Sequence, residues 1–562
     1  MLRALLATAA VTAVVSLRPG ADPRSVEEAT YLLQAESLAR DFDRVWGPED
    51  RSRYAAGRLE PLVWPLAPEV FARPPVYSLL VAPWVRVAGV RGAALAKAAL
   101  LALAALLAVR VLAQRLGDSA AWLVTLAVFA SVLWTDVFLA QPEILLLAAS
   151  VSAFALAYGR EGPAKERLEE IYRADDRGRS SLLRWGCVGC LLALPILHHP
   201  LYLLLLLPAG VAIPESRRRS GLAALTAGAL VVLLAGGIAD RVASGSWVPS
   251  GWRVLSVVAE LGEGASSAPS GESAAAAEAI RPGFDARVMG WNLVYLLAGR
   301  NVGILPYFLP VLVLLGAWRG GARRSTLVIA VLASAALFAW VEPFNFFGGP
   351  GAIANRWFVP LYGALWFVPT RPVPRRWMGV AAVAGAAFIW PLWMPPGGEP
   401  LAPGGLYRHS SGPVSRWLPY ETTQQALASG GESRRGRLWI RAVSGSRVID
   451  GRRGEFELRG GARTELLLAA PRPLESLFLE FGARAKPEIE VERGELGGTI
   501  LSPSGGVGFV ILAPTPRARH RMWWTDTTQY LYLFDFRMPD AGATAIRYKV
   551  TGLTRKRLEN SP

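Results

Sequence analysis

The chain has 562 residues, of which 52% are hydrophobic and only 19% charged. Apolar runs of about 20 residues recur to about residue 394, the mark of a polytopic helical membrane protein and not of a soluble enzyme. The net charge of +16 does not point to nucleic acid, because the basic residues cluster in short connections between apolar runs, where they set orientation. No basic helix is interleaved with aromatics as a nucleic-acid surface requires.

Residues 1–17 carry Arg3 ahead of an apolar run and lack an A-x-A site before Arg18-Pro19-Gly20, so they read as an uncleaved signal anchor. The loop 18–91 is too long for a connector. In it Val26, Ala29, Leu32, Leu33 and Leu38 recur at helical spacing, which predicts an interfacial helix lying on the membrane surface. Residues 76–89, after Arg73-Pro74-Pro75, read as a second interfacial or re-entrant helix.

The predicted spans are 2–17, 92–114, 119–135, 140–158, 184–197, 200–213, 221–239, 303–319, 325–341, 356–370 and 377–394. That makes about 11. The pair flanking His198-His199-Pro200 is short, and Pro200 favours a break there, so it reads as a hairpin that does not fully cross. With the N-terminus cytoplasmic, the basic loops at Arg110/Arg115, 160–184, Arg217–Arg219, Arg319/Arg323/Arg324 and Arg371/Arg375/Arg376 all fall on one side. The opposite, external side holds loop 18–91, the Asp136–Glu143 turn, loop 240–302, the Glu342–Asn355 turn and the C-terminal region. Within 240–302, residues 262–279 are Ala-, Ser- and Gly-rich, as in a flexible loop.

Cys187 and Cys190 lie inside one apolar run without further ligand-type neighbours, so they read as small buried residues and not as a redox or metal pair. From about residue 395 the composition turns polar, Arg-rich and Gly-rich. Short runs at 463–469, 476–481, 488–491, 508–512, 530–536 and 545–550, with Gly/Pro turns between them, predict a β-sandwich of jelly-roll type over 395–562. Trp523-Trp524, Tyr530 and Tyr532 either stack on sugar rings or fill the core of that domain.

The acidic residues in the external loops carry the chemistry. Glu27-Glu28 at a helix start, just beyond a first span, read either as a proton acceptor at the bilayer surface or as acids favoured by the helix dipole. Asp22 lies five residues earlier. Glu143 follows Pro142 at a span entrance, and Asp136 opens the same turn. Arg356 begins a span behind the Gly-rich turn 348–351. Like His198, His199, Arg73 and Arg300, it can be an interfacial residue reaching for headgroups.

In order, Glu27-Glu28-Ala29-Thr30-Tyr31-Leu32-Leu33, Arg73-Pro74-Pro75, Gln141-Pro142-Glu143, Gly303-Ile304-Leu305-Pro306-Tyr307-Phe308 and Gly348-Gly349-Pro350-Gly351-Ala352-Ile353-Ala354-Asn355-Arg356-Trp357-Phe358 resemble motifs of the GT-C superfamily of integral membrane glycosyltransferases. Bacterial mannosyltransferase and aminoarabinose-transferase types are the nearest in pattern. The resemblance covers about residues 1–394. It implies a polytopic α-helical domain of GT-C type at 1–394 in the cell inner membrane, followed by the external, periplasmic domain 395–562.

The resemblance also implies transfer of a sugar from a polyprenyl-phosphate donor to a glycan, lipid or protein acceptor at the external face. It gives Glu27, with Glu28 and Asp22, the catalytic role. Substrate binding then falls to Tyr31, Arg73, Asp136, Glu143, His198, His199, Arg300, Asn355 and Arg356. Some relatives use a divalent metal such as Mg or Mn, and no ligand set for one is evident. The chain departs from the family where its usual Asp is Glu27 and its Pro-His is Ala29-Thr30. That departure keeps open a non-catalytic role in envelope-glycan assembly. A transporter is disfavoured, since no internal repeats or mid-span charges stand out.

Overall fold

The computed structural model describes residues 26–53, 61, 63–64, 70–159, 177–252, 286–299, 302–341, 346–348 and 354–393. In the C-terminal part it describes 418–419 and the strands between 439 and 553 with their adjoining turns. The expected anchor 1–17, Asp22, Arg300, residues 262–279 and Trp523-Trp524 lie outside the described residues. The chain divides into two compact units. One comprises 1–256, 302–341 and 346–401, and the other 257–301, 342–345 and 402–562.

The first unit is helical. Its main helices are α1 (Val26–Arg40), α2 (Pro75–Ala88), α3 (Val90–Leu116), α4 (Glu143–Tyr158), α5 (Arg177–His198), α6 (Arg218–Ser244), α7 (Ala322–Val341) and α8 (Phe358–Leu365). Among the described residues four helical segments are long and apolar enough to cross a membrane: Val90–Leu116, Ser181–His198, Glu215–Ser244 and Ala322–Val341. Of the other expected spans, 377–394 is an unbroken helix of 19 residues, Arg375–Trp393, while 140–158, 200–213 and 356–370 hold shorter helices. Span 119–135 divides into Ser119–Phe129 and Leu133–Asp136, and span 303–319 into Ile304–Tyr307 and Pro310–Gly316. Pro310 starts the second piece of the latter, where its missing N–H costs nothing.

The hairpin expected around His198-His199-Pro200 needs correction in its first arm. That arm is a helix of 22 residues with Pro195 inside it. Only the second arm is short, a 3₁₀ turn Pro200–Leu205 running into Leu206–Ala212.

Helix α1 forms where acids Glu27 and Glu28 open the first turn and Arg40 closes the last, both favoured by the helix dipole. The sequence reading laid this helix on the membrane surface. Instead it is buried on nearly every side: Ala29, Tyr31, Leu32, Ala35 and Leu38, but also Thr30, Gln34 and Ser37, are all under 9% exposed. Its polar face meets α2, where Ser78 Oγ lies 2.9 Å from Gln34 Oε1 and 3.0 Å from the Tyr31 carbonyl. Helix α2 has two apolar faces. Tyr77, Val81 and Val85 point inward, while Leu79, Leu80, Trp84 and Val87 are exposed.

Helices α5 and α6 pack backbone to backbone through Gly186, Gly189 and Gly228, since a Cβ at Gly189 or Gly228 would strike the partner helix's carbonyls. The cysteines beside this contact are not buried as expected. Cys187 is exposed, and Cys190 is half-buried with its thiol 3.3 Å from the Gly228 carbonyl.

The second unit carries two antiparallel sheets. One orders its strands Ser446–Asp450, Glu455–Leu458, Ile546–Leu553, Ser476–Phe481, Val507–Leu512 and Glu495–Leu501. The other orders them Ala518–Met522, Thr527–Arg537, Arg463–Ala470 and Trp439–Ser444, with Glu490–Arg493 also beside Thr527–Arg537. Inward residues of both sheets, among them Phe456, Phe481, Phe509, Leu466, Phe534 and Phe536, form one apolar cluster. Tyr532 belongs to that core, with its hydroxyl accepting from the Leu474 amide at 2.8 Å, and Tyr530 packs against it. These two tyrosines are therefore core residues, not a sugar platform.

Candidate functional site

Four of the sequence-derived candidates converge, from positions as much as 329 residues apart. Glu27 sits in the first turn of α1, and Arg73 lies just before the Pro74-Pro75 start of α2. Glu143 is the first residue of α4, placed there by Pro142. Arg356 lies in the turn that leads into α8. That turn is shaped for the Arg356 side chain. Gly348 has φ +104°, and a Cβ there would collide with the Arg356 side chain, so only glycine lets the arginine pass.

Asn355 spends both ends of its amide on the same turn. Nδ2 donates to the Phe346 carbonyl at 3.2 Å and Oδ1 accepts from the Phe358 amide at 3.1 Å, capping α8. These two bonds order the turn that carries Arg356.

The side chains form one chain of charge. Arg356 makes a forked pair with Glu27, with Nη2 2.8 Å from Oε1 and Nη1 on Oε2. Arg73 Nη2 lies 3.2 Å from the same Glu27 Oε1. Arg356 Nε stands 3.6 Å from Glu143 Oε1, too far for a hydrogen bond but close enough for strong attraction in a dry setting. All four side chains are 12% exposed or less. Burial alone would raise the Glu27 pKa. The Arg356 and Arg73 charges outweigh it and hold the carboxyl below its ordinary value of 4.5.

The remaining candidates surround this core. Tyr31 is buried, with the Arg73 guanidinium 6.0 Å over its ring and Tyr77 edge-on at 5.4 Å. Glu28 is buried beside them. His198 ends α5 with its ring 6.5 Å from Tyr31, and its Nε2 has no hydrogen-bond partner among the described residues. His199 turns away. Its Nδ1 accepts from the Leu201 amide at 3.2 Å and its ring packs on Phe338 and Trp357 at 4.4 and 5.0 Å. Asp136 is buried, and its Oδ2 has no partner among the described residues. Burial and the nearby Glu143 carboxylate push its pKa well above the ordinary value. Among the described residues no group of three His, Cys, Asp or Glu comes together as a metal site.

Lys97 was missed by the sequence reading. It lies mid-helix in α3, fully buried, with Nζ donating to the Asp136 carbonyl at 2.6 Å, and it interacts electrostatically with Asp136, Glu143 and Glu28. The signal was available, because a lone lysine in the run 90–116 of alanines and leucines is an ionisable group where lipid contact makes one expensive. Arg44 and Asp240 were also missed. They form a 3.0 Å pair 196 residues apart, and nothing local in the sequence couples them.

A chemical consequence follows. Two buried guanidiniums facing one direction make a strong site for a phosphate or carboxylate. Glu27 occupies that site in the present state. A carboxylate so paired is a poor base, and it becomes a good one only when another anion takes over its arginines.

No protein-family model matches the chain, and no curated protein matches it. Among solved structures it is similar to the crystal structure of ArnT from Cupriavidus metallidurans bound to undecaprenyl phosphate. The TM-score is 0.39 and the identity 14%, over 68% of this chain and 59% of that one. The chain thus spans about three-fifths of that protein's length. At that score the likeness carries no argument about fold or activity.

Proposed function

We propose that the protein is a GT-C-type membrane glycosyltransferase of the bacterial cell envelope. It moves a sugar from a polyprenyl-phosphate donor to a glycan, lipid or protein acceptor at the external face of the inner membrane. The observation that carries this reading is the meeting of Glu27, Arg73, Glu143 and Arg356 in one buried network. Motifs that are separate in the sequence supply its four parts.

In the reaction the acceptor hydroxyl or amine attacks the anomeric carbon. A new carbon–heteroatom bond forms there as the bond from that carbon to the phosphate oxygen breaks, and the phosphate leaves with the electron pair. Arg356 and Arg73 hold the phosphate as its charge grows. By drawing the two guanidiniums off Glu27, the incoming phosphate frees that carboxylate to accept the acceptor's proton. Donor binding thereby switches on the base. Glu143 and Asp136 face the acceptor, and burial together with the Glu143 carboxylate raises the Asp136 pKa. A divalent cation near Glu27 and Glu143 remains part of the proposal only as an additive to be titrated in the assay.

Purified protein is incubated with labelled polyprenyl-phosphate sugar and acceptor. Arg356→Ala should raise the donor KM about tenfold to a hundredfold and leave the acceptor KM within about threefold. Equal losses for both substrates contradict phosphate binding by Arg356. The full pairing of Glu27 favours a second reading, in which the network is a purely structural tie in a non-catalytic envelope-glycan assembly protein. Saturable donor binding without transfer or hydrolysis is the outcome that selects it.

A further inference from the structure

Behind the Glu27 cluster lies a second layer that touches none of the reacting groups. The Arg73 main-chain carbonyl accepts two side-chain donors, Gln34 Nε2 at 3.2 Å and Arg44 Nη2 at 3.3 Å. Arg44 is itself held. Its Nη1 is 3.0 Å from Asp240 Oδ1, its carbonyl accepts from the Phe71 amide at 3.0 Å, and the next residue, Val45, bridges to Val70. The pair is nearly dry, with side chains 12% and 4% exposed.

Asp240 also reaches the other way. Its Oδ2 accepts from the Ser250 amide at 2.6 Å. The segment that this bond fixes lies against the end of α5, where a Cβ on Gly251 would fall 2.7 Å from the His198 carbonyl and Trp252 Nε1 donates to the Ile196 carbonyl at 2.6 Å. One carboxylate therefore joins the backbone of Arg73 to the backbone that carries His198.

We propose that Arg44 and Asp240 are positioning residues that aim the Arg73 guanidinium at a bound phosphate; this rests on the lipid-phosphate reading given above. The reason is geometric. Arg73 precedes Pro74, so its backbone is restricted to extended conformations, and two donors on its carbonyl fix the remaining rotation of that corner. Without Arg44 the corner is held by Gln34 alone, and the guanidinium loses its fixed approach to the site. A phosphate clamp depends on such placement, and a misplacement of about 1 Å can cost about a hundredfold.

A structural staple and a positioning device respond differently to substitution. Removing one partner strands a buried charge, whereas replacing both by apolar residues of similar size often leaves stability unchanged. The test uses the full chain in detergent, a short-chain polyprenyl monophosphate as probe, and binding read from intrinsic tryptophan fluorescence, with a melting curve beside it. The double variant Arg44→Met/Asp240→Leu should melt near the wild type and bind the probe about tenfold more weakly. In an Arg73→Gln background the same pair of changes should add less than about twofold, because the effect runs through Arg73. If the double variant does not fold, Arg44→Met/Asp240→Asn, which removes both charges and keeps an acceptor for the Ser250 amide, carries the same expectations.

Unchanged probe binding in the folded variant overturns the proposal, as does an undiminished loss in the Arg73→Gln background. Absence of saturable binding by the wild type overturns the lipid-phosphate reading itself and this proposal with it. That outcome is distinguished from the others because it appears without any substitution.

Discussion

The two units are built on opposite principles. In the helical unit the buried residues include Glu28, Arg73, Lys97, Asp136, Glu143, Asp240, Arg324 and Arg356. In the β unit the described core is aromatic and aliphatic, with the Phe481 and Phe536 rings both within 6 Å of Tyr548, and Asp535 is the one buried Asp, Glu, Lys or Arg among its described residues. Taking an ion out of water costs several kcal/mol even after relaxation. A fold selected only for stability would fill those helical positions with leucine, as the β unit fills its own. The difference teaches where to look for chemistry: the unit that keeps expensive charges in its interior is the one whose function needs them.

Substitutions test that contrast. A large stability effect with little effect on transfer should come from the β unit. Phe534→Ala, at a fully buried position, should cost that unit about 3–5 kcal/mol, while sugar transfer measured below its melting point stays within about twofold. A large loss of transfer in the folded variant would mean that the β unit contributes to the site.

The helical cluster should behave in the reverse way. Glu143→Leu/Arg356→Leu removes one charge of each sign and leaves Glu27 paired with Arg73 at 3.2 Å. Its melting temperature should match or exceed that of the wild type, because paired apolar replacement of buried ions is often neutral or stabilising by about 1–4 kcal/mol. Arg356→Leu alone, which leaves Glu143 without its guanidinium partner and Glu27 with Arg73 only, should cost about 3–5 kcal/mol. A double variant as unstable as the single one would mark the network as structural.

The smallest effect is the pH dependence of stability, and its sign separates two carboxyls. Asp136 is raised in the fold, so its penalty is relieved as pH falls from neutrality, and the melting temperature should rise slightly into mildly acidic solution. Glu27 is lowered in the fold. Its contribution is complete above its ordinary value of 4.5 and is lost as pH drops through the depressed folded value. Thermal melts across pH should therefore show a shallow maximum on the acid side. Glu143, raised to about 7 by burial, acts in the same direction as Asp136, so Asp136→Asn should flatten part of the upper limb and Glu27→Gln the lower limb.

The sequence revealed the parts of the site better than their arrangement. Glu27 opens a helix as one of an acidic pair, and Arg73, Glu143 and Arg356 stand beside or shortly after Pro or Gly, where a helix start and a short external connection leave a clear local pattern. Their mutual pairing was not visible, because charge partners 46 or more positions apart leave no periodic trace. The same limit hid Arg44 with Asp240. Lys97 was hidden differently, since its helix is otherwise so apolar that one lysine did not alter the reading of a span. Helix α1 misled through its spacing. Its apolar residues do recur on one face, but Gln34 and Ser37 on the other are buried too, through bonds to Arg73, Ser78 and Asp43 that only the tertiary fold supplies. In the β unit the strands richest in apolar residues were legible. Trp439–Ser444 and Ala518–Met522, whose arginines break the alternation, were not.

The most direct test of the central claim is transfer of labelled sugar from a polyprenyl-phosphate donor by the wild type and by Glu27→Gln, both purified and confirmed as folded. Wild-type transfer that falls by about 10²-fold or more in the variant, with donor binding retained, is the predicted result. Transfer by Glu27→Gln within about twofold of the wild type would contradict it and remove Glu27 from the chemistry.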